Sequence, residues 1–148
     1  MTQQEVRAYA EARGFHPKTL ARLMSWEPSD RAALARLVVG LKISENHLRD
    51  FMDWLEEIAL RDACAVAAIL AHKGIESIQT DPRLGRADKL KRIKDELRRR
   101  RFPRLAQAED ALRARIGELK LHPAIVVSAP AGLEGGRLHV VLSAASQQ

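Results

Sequence analysis

The feature that most narrows the fold is an apolar stripe. Leu48, Phe51, Met52, Leu55, Ile58 and Ala59 recur at helical spacing, the clearest period in the chain. They predict an amphipathic helix with one face turned to a core. Ser44 is placed to cap its start, with Ile43 and Leu48 as a hydrophobic staple. Weaker stripes precede it. Thr2 and Glu5 form a capping-box pattern, Val6, Tyr9, Ala10 and Arg13 follow at helical spacing, and Gly14 is a natural stop. His16-Pro17 restarts the chain into a short helix with Leu20, Leu23 and Met24 on its apolar side. Pro28 and Asp30 open a third helix carrying Leu34, Leu37 and Val38, which ends at Gly40. Asp62 is expected to cap a short apolar helix over 63–72 that closes at Gly74, and 75–85 to be a turn of helix and a loop broken at Asp81-Pro82.

A basic helix is expected over about 87–101, with Leu90, Ile93 and Leu97 on its inner side. Phe102-Pro103 ends it, since the residue before a proline is disfavoured in helix. Another helix, about 105–119, carries Leu105, Leu112, Ile116 and Leu119. Then the character changes. Residues 124–128 and 137–142 are short, β-branched runs separated by Pro130 and a glycine-rich loop, the pattern of a hairpin. The expected fold is mainly α: a helical bundle containing a helix-turn-helix, followed by a C-terminal helix plus β-hairpin. Residues 1–80 read as a helical domain with the helix-turn-helix at about 2–25. Residues 81–104 read as basic helix and connector, and 105–148 as the C-terminal unit, with 145–148 disordered.

The 148 residues are enough for one self-sufficient domain, or one with a small appendage. The single cysteine, Cys64, has no internal partner and fits a reducing compartment. No signal peptide is visible and the longest apolar run is about half a membrane span, so a cytoplasmic location and no membrane partner are expected. The net charge of +6 is local. Residues 81–104 hold 11 Lys/Arg against 4 Asp/Glu, while the remainder is close to balance. A focused cationic stretch points to an anionic partner.

Three features could carry function. In a DNA-binding helix-turn-helix, a small residue lets the second helix pack close, and a glycine four residues on takes the left-handed turn. Apolar residues on the second helix then anchor it. Ala10, Gly14, Phe15, Leu20 and Leu23 stand in that order. The outward face would present His16, Lys18, Thr19, Ala21 and Arg22, of which His16, Lys18, Thr19 and Arg22 are the candidate DNA contacts. An ordinary helical hairpin would satisfy the same apolar pattern.

The second feature is the basic helix. Lys89, Lys91, Arg92, Lys94, Arg98, Arg99, Arg100 and Arg101 are expected to face water and bind phosphates, giving salt-sensitive affinity with little sequence choice. A solvated face whose terminal arginines complement the helix dipole is the plainer reading. The third is the hairpin. Two strands alone are marginal in water, so Ile125, Val127, Leu138, Val140 and Leu142 are expected to join a second copy as a homodimer or to cover the chain's own core.

No catalytic constellation emerges. His16, His47, His72, His122 and His139 lack metal-ligand spacing with one another or with Cys64, so no metal and no cofactor are expected. Asp50, Asp53 and Glu57 share a helix face opposite the apolar stripe and read as solvated. Cys64 reads as a core residue, and Trp26 and Trp54 as packing residues.

With these features together, the chain resembles the ParB-like chromosome-partitioning family. The resemblance rests on Ala10…Gly14-Phe15…Leu20…Leu23, on the helical middle with its run Ser44-Glu-Asn-His-Leu-Arg-Asp50, and on a tail of Asp81-Pro-Arg-Leu84, the arginine-rich junction, a helix and two strands. It implies DNA contact at Lys18, Thr19 and Arg22 and dimerisation through the C-terminal unit. The family's N-terminal nucleotide-binding domain, with its arginine-rich motif, has no counterpart here, so the resemblance implies no CTP chemistry. The expectation is a non-catalytic DNA-binding protein of partition or regulatory type, with DNA favoured over RNA because aromatic residues are only 4%. The alternative is an interaction module whose basic helix grips an acidic partner.

Overall fold

The structure is a computed structural model that describes residues 2–145. It is mainly helical, with eight α-helices and one two-stranded sheet among the described residues. In order they are α1 (Gln3–Ala12), α2 (Pro17–Met24), α3 (Pro28–Gly40), α4 (Glu45–Asp62), α5 (Val66–Leu70), α6 (Lys73–Thr80), α7 (Arg86–Arg101), α8 (Pro103–Glu118), β1 (Ile125–Ser128) and β2 (His139–Leu142). The expected mainly-α fold with a C-terminal helix and hairpin is the one observed. The chain divides into two units, at Arg101 and Phe102.

In the first unit the local punctuation acts as its chemistry dictates. The Thr2 hydroxyl accepts from the Glu5 amide while the Glu5 carboxylate reaches back to the Thr2 N–H, closing the capping box of α1. Ser44 accepts from the His47 amide at the start of α4. The apolar stripe of α4 is buried at Leu48, Phe51, Met52, Leu55 and Ile58. α4 packs against α2, α5 and α7, α3 against α1 and α5, and α6 against α7. α7 belongs by burial with these helices, since Ile93 and Leu97 are wholly enclosed in the same core.

α1, α3 and α4 all stop with one device. An amide bonds to the carbonyl five residues back (Phe15 to Ala10, Ile43 to Val38, Cys64 to Ala59), across a residue in the left-handed conformation. At α1 that residue is Gly14, φ 69°, where the absence of Cβ removes the usual penalty. At the other two it is Lys42, φ 51°, and Ala63, φ 50°.

The segment after α4 differs from the sequence expectation. Asp62 caps no helix: it ends α4 and pairs with Arg61. α5 spans only Val66–Leu70, and its Ala67 amide donates to Asp30 Oδ1 of α3 at 2.8 Å. Gly74 is not a stop but lies in the first turn of α6, where its N–H donates to His72 Nδ1 at 3.1 Å. A carboxylate distant in sequence supplies the cap that the local residues do not.

The second unit is thinner. β1 and β2 pair antiparallel with Ile125 opposite Leu142 and Val127 opposite Val140. The loop between them, Ala131–Gly136, sends the Gly132 N–H to Glu109 of α8. Ala106 is the one buried side chain among the described residues of this unit. Of the stretch expected to be disordered, 146–148 lie outside the described residues.

Candidate nucleic-acid interface

The α1–α2 pair has the packing that a helix-turn-helix requires. Ala10 and Leu23 are buried, Gly14 takes the left-handed turn, and the Phe15 ring stands edge-on to Tyr9 at 5.9 Å. α2 starts at Pro17, preceded by His16, whose Nδ1 accepts from the Lys18 amide at 3.1 Å.

The four candidate contact residues on this pair divide. His16 and Lys18 are exposed, and the Lys18 ammonium has no partner among the described residues. Thr19 is not outward-facing: it is buried, and its hydroxyl donates to Glu45 Oε1 at 2.7 Å. Arg22 is half-buried and ion-paired with Asp53 and Glu56 of α4, at 2.8 Å to each. Trp26 adds a 2.8 Å bond from its indole N–H to Glu56. The polar side of α2 therefore docks on an acidic row of α4, and Asp53, exposed as expected, is also an ion-pair partner.

The charges at this seam follow from its bonds. Thr19, with the His16 amide, holds the Glu45 carboxyl below its ordinary value. Burial pushes Glu56 upward, but the bonds from Arg22 and Trp26 outweigh it and hold this carboxyl low as well. Arg22 is raised in return, first by its bond to Glu56. Beside the seam lies a cleft of about 510 Å³ whose lining includes Lys18, Thr19, Glu45, Asn46 and Arg49.

The basic helix divides too. Lys91 and Arg92 are exposed, as expected, and in no ion pair among the described residues. The others are half-buried, which corrects the expectation that these charges face water. Lys94 Nζ sits 3.0 Å from Asp50 and 2.9 Å from His47 Nδ1, over the Trp54 ring. Arg100 reaches Glu96 at 3.1 Å and His72 Nδ1 at 2.6 Å, Arg101 pairs with Glu57, and Lys89 donates to the Gln79 carbonyl at 2.8 Å. Asp50 and Glu57 are thus ion-pair partners of α7, Glu57 remaining exposed as expected and Asp50 half-buried. Arg98 and Arg99 are half-buried on the same helix.

Histidine carries a role that metal spacing could not reveal. His16, His72 and His122 each accept at Nδ1 from the amide two residues on, in the runs His-Pro-Lys, His-Lys-Gly and His-Pro-Ala. His47 and His72 also face, at Nδ1, the Lys94 ammonium and the Arg100 guanidinium, which can only donate. No group of three metal-ligating side chains occurs among the described residues, and none of their helices is long and apolar enough to cross a membrane. Cys64, read as core, is exposed, because α4 ends just before it. Trp26 and Trp54 pack against the core.

On the hairpin, the register puts Ile125, Val127, Val140 and Leu142 on one face, with Leu138 in the same parity just before β2. Ile125 and Val127 are half-buried, whereas Leu138, Val140 and Leu142 remain 52%, 59% and 71% exposed. Val126 and Val141 are exposed on the opposite face. Compared with known proteins, the chain matches no family model, no curated protein and no solved structure.

Proposed function

We propose that this chain is a cytoplasmic, non-catalytic DNA-binding protein of chromosome-partitioning (ParB-like) or regulatory type. The observation that carries this reading is the α1–α2 pair: a close-packed small residue, a left-handed glycine turn, and a second helix whose first turn offers an unpaired lysine. Lys18 and His16 contact DNA at the start of α2. Thr19 and Arg22 act behind them by fixing α2 on α4. Lys91 and Arg92 add phosphate contacts from α7.

The chain acts as a homodimer in this reading. A face with Leu138, Val140 and Leu142 uncovered and no charged residue in either strand favours burial against an equally uncharged copy of itself. The same exposed face favours, as a second reading, an interaction module. An acidic partner of that module would meet fewer cations than the sequence count implies, since Lys94, Arg100 and Arg101 are bound within their own unit.

Fluorescence anisotropy of a labelled random duplex against full-length protein, across a salt series, tests the DNA reading. A linear fall of log affinity with log salt is expected. Absence of binding at low salt would defeat this reading and leave the interaction module.

A further inference from the structure

The side of α4 that meets α2 carries one charge that α2 does not answer. Glu45, Arg49, Asp53 and Glu56 follow at spacings of four, four and three, so they lie along one side of the helix. At one end, Glu45 Oε1 accepts from the His16 amide at 3.0 Å and from the Thr19 hydroxyl at 2.7 Å. At the other, Asp53 and Glu56 both bind Arg22. Arg49 stands between these anchors. It is exposed and makes no hydrogen bond or ion pair among the described residues.

The 510 Å³ cleft beside the seam brings Arg49 to the same concavity as Lys18, whose ammonium is likewise unpaired among the described residues. Asn46, exposed one turn before Arg49, lines it too, and its side-chain amide makes no hydrogen bond among the described residues. The remaining charges of the lining are engaged. Arg22 is held by Asp53 and Glu56, and Glu45, the one acid of the lining, has two donors on Oε1. Two unpaired cations and a neutral donor around one opening, against a single engaged carboxylate, favour an anion. A guanidinium presents a fork of donors that matches two oxygens of one phosphate, and an ammonium adds a point charge.

We propose that Arg49 and Asn46 of α4 join Lys18 of α2 in a clamp for a backbone phosphate of the duplex, at the mouth of the cleft between the two helices. The proposal rests on the DNA reading above and adds α4 to the elements that touch the duplex. The bonds from Thr19, the His16 amide and Arg22 to α4 set the width of the clamp, because they fix the two helices on either side of Arg49.

The test compares four full-length proteins binding a duplex between about 50 and 200 mM salt. These are the wild type, Arg49→Gln, Arg49→Lys and a control, Arg36→Gln, that removes the same charge from an exposed position of α3 outside the cleft. Arg49→Gln is expected to flatten the salt slope by about one, while Arg49→Lys and the control keep the wild-type slope. If Arg49→Gln loses its helical circular dichroism, Asn46→Asp replaces it, since a carboxylate is favourable in the first turn of α4. That variant sets a negative charge in the cleft and should weaken duplex binding by at least about tenfold at the lowest salt. A wild-type slope in Arg49→Gln, an equal flattening in Arg49→Lys or in the control, or unchanged affinity in Asn46→Asp overturns the clamp while leaving DNA binding intact. A wild type that binds no duplex overturns the DNA reading and the clamp with it.

Discussion

The helices up to Arg101 and the segment after it solve the burial problem differently. In the first unit, one apolar cluster runs through every helix from α1 to α7, and Glu45, Asp50, Asp53, Glu56 and Glu57 of α4 meet groups on α2 and α7. From Phe102 on, Ala106 alone is buried among the described residues, and the apolar side chains of β2 lie open. A unit whose apolar and polar groups are both answered internally stands by itself. A two-stranded sheet alone is marginal in water, and Val140 and Leu142 of this one are uncovered. The core therefore lies in the first region, and the proposed assembly rests on the uncovered face of the second.

The sharpest way to break this comparison is to empty the first core. Phe51→Ala removes a ring with no solvent exposure and should cost about 3–5 kcal/mol in urea unfolding. A loss below about 1 kcal/mol would mean that the α4 stripe is not the centre of the fold. Next, Leu138→Ser/Val140→Ser/Leu142→Ser should convert a dimer to a monomer in sedimentation while the helical unit melts unchanged. A variant that stays dimeric places the contact elsewhere.

Smaller effects belong to the α2–α4 seam. Thr19→Val removes one of the two bonds to Glu45 Oε1, the other coming from the His16 amide, and should cost about 1 kcal/mol of stability. Arg22→Ala should cost up to about 1 kcal/mol, as half-exposed ion pairs do. Stability unchanged in both would return these residues to the list of DNA contacts. The smallest effect is acid-linked. Glu56 is held below its ordinary 4.5 in the folded chain, so its contribution is complete above that value and fades as pH falls through the lower folded one. Glu56→Gln should therefore flatten the pH dependence of stability below about 4.5, visible in melts between neutral and acid pH.

What could be read from the residues was local. Thr2 with Glu5, Pro17, Pro28, Ser44 and the Phe102-Pro103 break each act within a few residues, so α1 to α4, α7 and α8 stand close to where their punctuation puts them. The β-branched runs likewise became β1 and β2. Long-range chemistry was not readable. Asp30 caps α5 from 37 residues away, so no local signal marked that start. Lys42 and Ala63 take turns for which composition would nominate glycine. The charge count placed eight cations of α7 in water, and only the packing of α4 against α7 shows which carboxylates meet Lys94 and Arg101. At the candidate site, Lys18 is exposed as its position on α2 implies, whereas Thr19 and Arg22 are bonded to α4.

In the proposed function Lys18 touches DNA, while Thr19 and Arg22 hold α2 in place. Duplex binding by wild type and Lys18→Ala across one salt series, with thermal melts of both, tests it most directly. A steep slope is expected for the wild type, one flatter by about one for Lys18→Ala, and coincident melts. Identical slopes for the two proteins, or no binding by either, would contradict it.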